Sequence, residues 1–244
     1  MTFSAIVSKA ESAGLKDVGI SDHPFRHGLA KHHQAIATFR KSMDSPVRLW
    51  IAAELEVVAL GQLVLSSEQL PLADYLLAAP SHYDLIQAPP VRNLSDPLEW
   101  ADRLLTDIEN VPNSGADAIA HPFFVMALQT GGDPAWGLPF MSQILSEIRP
   151  KRLEWGLDRL AADQLALEIS PRLTYLPVFE QFMSVYYRKA KSRGMRFLLG
   201  SDSHRVSTIG DFDKLQAFMK GAGIEPSDLW HPEMSRIGHR SCAR

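Results

Sequence analysis

The stretch FLLGSDSHR, residues 197–205, runs four residues suited to a buried strand straight into Asp202 and His204, an acid and an imidazole two positions apart. The same arrangement recurs on both sides of it. Short apolar segments at 17–20, 49–53, 75–79, 116–120, 165–169 and 196–200 read as strands buried on both faces. Each leads to polar residues: Ser21-Asp22-His23, Glu54, Pro80-Ser81-His82, His121-Pro122, and Asp202 with His204. Glu168 stands close to the end of its own strand.

Between these segments lie helical patterns at 30–43, 97–108, 141–148, 178–193 and 212–220, with apolar residues at three- and four-residue spacing. Asp96-Pro97 has the form of an N-cap followed by proline at the first helical position, and Gly194 follows its helix as a C-cap does. Strand alternating with helix predicts βαβ units and a parallel sheet. No glycine- or serine-rich linker, low-complexity tract or repeat divides the chain, so residues 1–244 are expected to form one barrel-like α/β domain with a tail from about 231. The chain opens on a helix, with Ile6, Val7, Ala10 and Ala13 as its apolar stripe and Gly14 as its stop. In a closed barrel that order leaves two sheet edges without a partner. Either another chain or element covers them, or the sequence lacks its natural first strand.

Composition narrows the function classes. The chain has 244 residues, 45% hydrophobic and 22% charged, with a formal net charge of −3 and pI near 6.3. That balance gives no electrostatic case for nucleic acid or an anionic membrane. Cys242 is the single cysteine, which excludes an internal disulfide and a cysteine-based zinc cluster and fits a cytoplasmic location. The N-terminus has no basic region followed by an apolar core, so no signal peptide is expected. The apolar runs fall far short of the roughly 18 residues that a membrane span needs.

In a parallel barrel all strand C-termini lie at one face, so these side chains are predicted to converge on a single mouth. Imidazole and carboxylate are the ligand set of zinc, manganese or iron. Each residue alone has an ordinary explanation: His82 or His121 as a turn residue, Glu54 in an ion pair, Asp202 as a helix cap. Their common register at successive strand ends is the signal. His27, His32 and His33 read as solvated, on or before the polar face of their helix. His231 and His239 fall in a tail, HPEMSRIGHRSCAR, too polar to pack well. The turn-rich segment 129–139, carrying Trp136, reads as a lid or substrate wall, or as a plain surface loop.

The ordered set VGISDH (18–23), IAAELEV with Glu54, DYLLAAPSH ending at His82, AIAHPF with His121, LALEIS with Glu168, and LLGSDSHR with Asp202 and His204 resembles the polymerase-and-histidinol-phosphatase (PHP) family of metal-dependent phosphoesterases. The resemblance runs from residue 3 to about 230, and its most specific element is Gly-Ser-Asp-x-His. It implies a distorted (β/α)7 TIM-like barrel with one to three divalent metal ions. Carried over, Glu54 bridges two metals, His82 and His121 complete the second, His23 and His204 hold a third, and Asp202 binds the first. Asp22 is a further ligand or fixes the tautomer of His23. The family's first strand carries a His-x-His pair that this sequence lacks, which leaves the first metal with Glu54 and Asp202 and makes Glu54–His82–His121 the most nearly complete site.

The resemblance further implies hydrolysis of a small phosphorylated substrate by metal-activated water. Asp202, His204 or Asp22 would act on protons, and Arg205 and Arg172 are candidate phosphate partners. An amide hydrolase on the same metals, and a degenerate barrel acting as a binding or scaffold protein, stand beside that reading. A homo-oligomer is compatible with it.

Overall fold

A computed structural model describes residues 1–24, 28–80, 91–123, 134–174 and 177–235. The chain alternates as the sequence predicts. Helix α1 (Phe3–Ser12) precedes strand β1 (Asp17–Asp22), and α2 (Leu29–Ser42) precedes β2 (Arg48–Ala59). A two-residue β3 (Gln62–Leu63) folds back on β2 before β4 (Tyr75–Ala79), α3 (Pro97–Glu109), β5 (Ala118–Ile119) and α4 (Pro134–Glu147). Then come α5 (Pro150–Ala162), β6 (Ala166–Ile169), α6 (Pro177–Ser192), β7 (Phe197–Leu199) and α7 (Asp213–Ala222).

The sheet order is β1-β2-β4-β5-β6-β7, every neighbouring pair parallel, with β3 antiparallel to β2. Six parallel strands therefore form a half-barrel, consistent with the distorted TIM-like barrel, apparently short of its first strand, that the sequence predicts. Among the described residues β1 pairs with β2 alone, and the second edge of β7 carries one bridge, Phe197 to Leu229.

Period-two alternation sorts the side chains into two layers. Leu55, Leu76, Ile119, Leu167 and Phe197 face outward into the core shared with the helices. Ala52, Leu77, Ala118, Ala166 and Leu198 face inward, with Tyr75 and Trp230. Small residues dominate the inner layer because a curved sheet leaves little room on its concave side.

The structure departs from the sequence reading in several places. Strand β2 continues through Glu54 to Ala59, so Glu54 lies within the strand and Glu56 is its next inward neighbour. Helix α5 was not anticipated, although Pro150 at its start and buried Leu153, Leu157 and Leu160 are the usual signals. Residues 134–139 of the expected loop belong to α4, while 129–133 lie outside the described residues. Within residues 230–235 of the expected tail, Trp230 and Ser235 are buried and Glu233 and Met234 exposed, while 236–244 lie outside the described residues. Trp230 donates its backbone N–H to Phe197 O at 2.7 Å, and Ser235 Oγ donates to Asp117 Oδ2 at 3.0 Å across the strand N-termini.

His33 also differs from expectation. It shares the buried stripe of α2 with Leu29, Ile36 and Ala37, and its Nε2–H donates to the Ala52 carbonyl at 3.1 Å. That acceptor requires the proton on Nε2. Burial lowers the His33 pKa, and the bond to Ala52 and the carboxylates of Asp22 and Asp74 offset this only in part. The native state thus holds His33 neutral, while the unfolded chain takes up its proton below about pH 6.5. Its contribution is complete above that pH and is lost as pH falls towards the lower folded value. Urea unfolding at pH 7.5 and 5.5 should show wild type losing up to about 1.4 kcal/mol per pH unit more than His33→Gln.

Candidate metal centre

The inward residues at the C-terminal ends of the strands meet at a cavity of about 420 Å³. His23, Glu54, His121, Glu168, Asp202 and His204 all line it, together with Asp22 and His32. Sheet register accounts for this convergence. Glu54 stands opposite Leu77 on β4, His121 lies one residue beyond the end of β5, after Ala120, and Glu168 stands opposite Leu198 on β7. The predicted common rim is therefore present for these residues. His82 lies outside the described residues.

His121 is the hub. Its ring Nε2 lies 2.8 Å from Glu54 Oε1, and its backbone N–H donates to Glu168 Oε2 at 2.7 Å. The residue adopts φ of 26°, a left-handed conformation that is uncommon outside glycine and aims both groups inward. Burial disfavours a charged His121 ring, but Glu54, joined by Glu168 and Asp202, outweighs it and raises the pKa above the ordinary value. Burial pushes the Glu168 carboxyl up to about 7, assisted by the charges of Glu54 and Asp202 and opposed by His121.

His23 stands between two carboxylates. Its Nε2 is 3.8 Å from Glu54 Oε2 and its Nδ1 is 4.0 Å from Glu56 Oε1. Asp22, expected as a further ligand or as the group that fixes the His23 tautomer, accepts the His23 backbone N–H at 2.8 Å. Asp22 Oδ2 also lies 3.8 Å from His32 Nε2, which places His32 at the cavity and not on a solvated face.

On the β7 side Asp202 has φ of 46° and is paired through Oδ2 with Arg172 Nε. His204 Nε2 lies 3.4 Å from Asp202 Oδ1, with its side chain 72% exposed. Arg172, a candidate phosphate partner, is thus committed to Asp202 in this structure. Arg205 is exposed and does not line the cavity.

Among the described residues no three His, Cys, Asp or Glu side chains converge closely enough to hold a metal ion. The kind of donors nevertheless fits one. Two imidazoles, His23 and His121, face the two oxygens of one buried carboxylate, Glu54, with Glu168 and Asp202 at the same cavity. Mixed imidazole and carboxylate is the donor set of zinc, manganese and iron. Sequence reasoning included Glu168 among the strand ends but not in the site, and missed Glu56. Period two from Glu54 within ELEV was the available signal for Glu56.

The parallel half-barrel with acids and imidazoles at its strand C-termini defines the class of fold. The chain shares that fold with a histidinol phosphate phosphatase from Lactococcus lactis subsp. lactis, solved as a complex with zinc, L-histidinol and phosphate. The two superpose with a TM-score of 0.62 over 92% of this chain and 88% of that one, at 19% sequence identity. No known protein family matches the chain, and no curated protein does.

Gly200 makes room for one member of the cluster. A Cβ at this position would overlap Oε1 of Glu168 and lie 2.7 Å from its carboxyl carbon. Gly200→Ala should displace Glu168 from the His121 N–H and cost about 1–3 kcal/mol by overpacking. Thermal unfolding reads the stability, and loss of amide protection at His121 in hydrogen exchange reads the displacement.

Proposed function

We propose that this chain is a metal-dependent hydrolase of small phosphate esters. The observation that carries the reading is the buried Glu54–His121 pair, set beside Glu168, His23 and Asp202 at one cavity. Its support is chemical. A cavity lined by carboxylates repels a phosphate dianion, so an anionic substrate binds there only beside a cation. Glu54, His121 and His23, with His82, are the residues that would hold such an ion, and Asp202 would join from the other side. When bound, a divalent ion lowers the pKa of water and neutralises charge on phosphoryl oxygens.

The chain's own residues supply the rest. Glu168 fixes the His121 backbone and so the direction of its ring. Arg172 holds Asp202 at the mouth and offers a guanidinium that a phosphate can compete for. His204, paired through Nε2 with Asp202, keeps Nδ1 for protonating the leaving alcohol. Asp22 anchors the start of the His23 loop through the backbone. Arg205, exposed beside His204, would meet a part of the substrate outside the cavity. The fold shared with a phosphatase complexed with zinc and phosphate supports the same reading.

The test is a screen of phosphomonoesters, cyclic phosphates and amides with zinc or manganese added. Turnover of phosphomonoesters is expected, with His121→Gln lowering kcat/KM at least about 100-fold and lowering bound zinc. Turnover of amides alone overturns the assignment. No turnover and no zinc binding by a folded chain would favour the non-catalytic alternative, which the Arg172–Asp202 pair also fits.

A further inference from the structure

We propose that Glu56 is a positioning residue for His23: its carboxylate takes Nδ1 of the ring and so aims Nε2 at Glu54. The idea rests on the reading above for its effect on metal and activity, but its geometry stands without that reading.

Three observations carry it. Alternation along β2 puts Ala52, Glu54 and Glu56 on the inner face, since Ala53, Leu55 and Val57 belong to the outer core. Glu56 is 0% exposed, and a carboxylate buried so deeply is tolerated only against a proton donor or a cation. His23 supplies both ring nitrogens to this strand, Nδ1 towards Glu56 Oε1 at 4.0 Å and Nε2 towards Glu54 Oε2 at 3.8 Å. Glu54 in turn meets His121 Nε2 at 2.8 Å. The result is a row of carboxylate, imidazole, carboxylate, imidazole, in which one ring joins two acids of the same strand.

The row assigns different roles to its two acids. Glu54 lines the cavity and Glu56 does not, so Glu56 cannot touch a substrate there. Its route to the chemistry runs through His23. An imidazole whose Nδ1–H faces a carboxylate presents the bare Nε2 lone pair, the form that binds a metal, and the carboxylate also fixes the ring plane. The contact is about 1 Å longer than an N–H···O hydrogen bond, so the proposal requires the His23 ring to move closer to Glu56 than it stands in this structure. Serving in this way, Glu56 takes one of the two parts open to Asp22, whose Oδ1 accepts the His23 backbone N–H.

The test uses the full-length, metal-free protein and two-dimensional ¹⁵N–¹H spectra that distinguish the tautomers of His23. Wild type should show the Nδ1–H form. Glu56→Leu and Glu56→Ala should lose that preference and weaken zinc binding, measured by calorimetry, by 10–100-fold. Glu56→Gln, which keeps an acceptor oxygen, should restore both in large part. A merely structural Glu56 would alter stability and leave the tautomer alone. An unchanged tautomer in a folded Leu or Ala variant overturns the proposal. Should neither variant fold, an Nε2–H tautomer for His23 in wild type overturns it equally. Tautomer and zinc effects without any phosphate-ester turnover would reject the phosphoesterase reading and keep the positioning role. Turnover with an insensitive tautomer would do the reverse.

Discussion

The arrangement depends on one residue bonding two buried acids. Glu54, on β2, and Glu168, on β6, are drawn to the same point, where two unscreened carboxylates would repel strongly. His121 meets Glu54 with its ring and Glu168 with its backbone N–H. The twist to φ of 26° that allows both is local strain held by surrounding structure. The raised pKa of Glu168 shows the same tension from the other side: burial and neighbouring charge act against its ionisation. Strain and perturbed titration at one point are the usual accompaniment of a site kept for chemistry rather than for stability.

The surrounding scaffold explains how such a cluster is tolerated. The outer layer joins Trp100, Tyr186, Tyr187, Phe179 and many aliphatic residues into one core between sheet and helices. The inner layer is mostly alanine and leucine, closed at the strand N-termini by Trp230 and the Ser235–Asp117 bond. Apolar burial is thus concentrated where the helices cover the sheet, which leaves the C-terminal mouth available to polar groups. Among the described residues no helix is long and apolar enough to cross a membrane.

The half-barrel shape has a counterpart in the cavity. Consecutive residues of β1, from Asp17 to Asp22, line it together with Leu198, Leu199 and Gly200 at β7. Side chains of one strand alternate between two faces, so an unbroken run can border a single space only along a strand edge. Among the described residues the side between β1 and β7 is therefore continuous with the candidate metal centre, and the apolar residues Phe3, Ile6, Ile209 and Phe212 flank the same space.

Much of this was legible in the sequence because parallel strands write a simple pattern. A doubly buried strand is an apolar run, and its last inward residue is free to be polar, so runs ending in His23, His121 or Asp202 announced both the sheet and its mouth. Glu54, expected just past its strand, lies at the cavity although that strand runs further than the apolar run suggests. The misses came from choices that sequence leaves open. Glu56 lies beyond the end of the apolar run, and the pairings of Glu54, Leu55 and Glu56 with Leu77, Ala78 and Ala79 show the ladder continuing. His33 fell on a helix whose rotation is fixed by Ala52, a residue distant in sequence that supplies its hydrogen bond. Composition and periodicity determined that strands, helices and a polar rim exist. Tertiary structure decided which acid meets which imidazole, because those pairings depend on register, backbone strain and burial between segments that no local pattern connects.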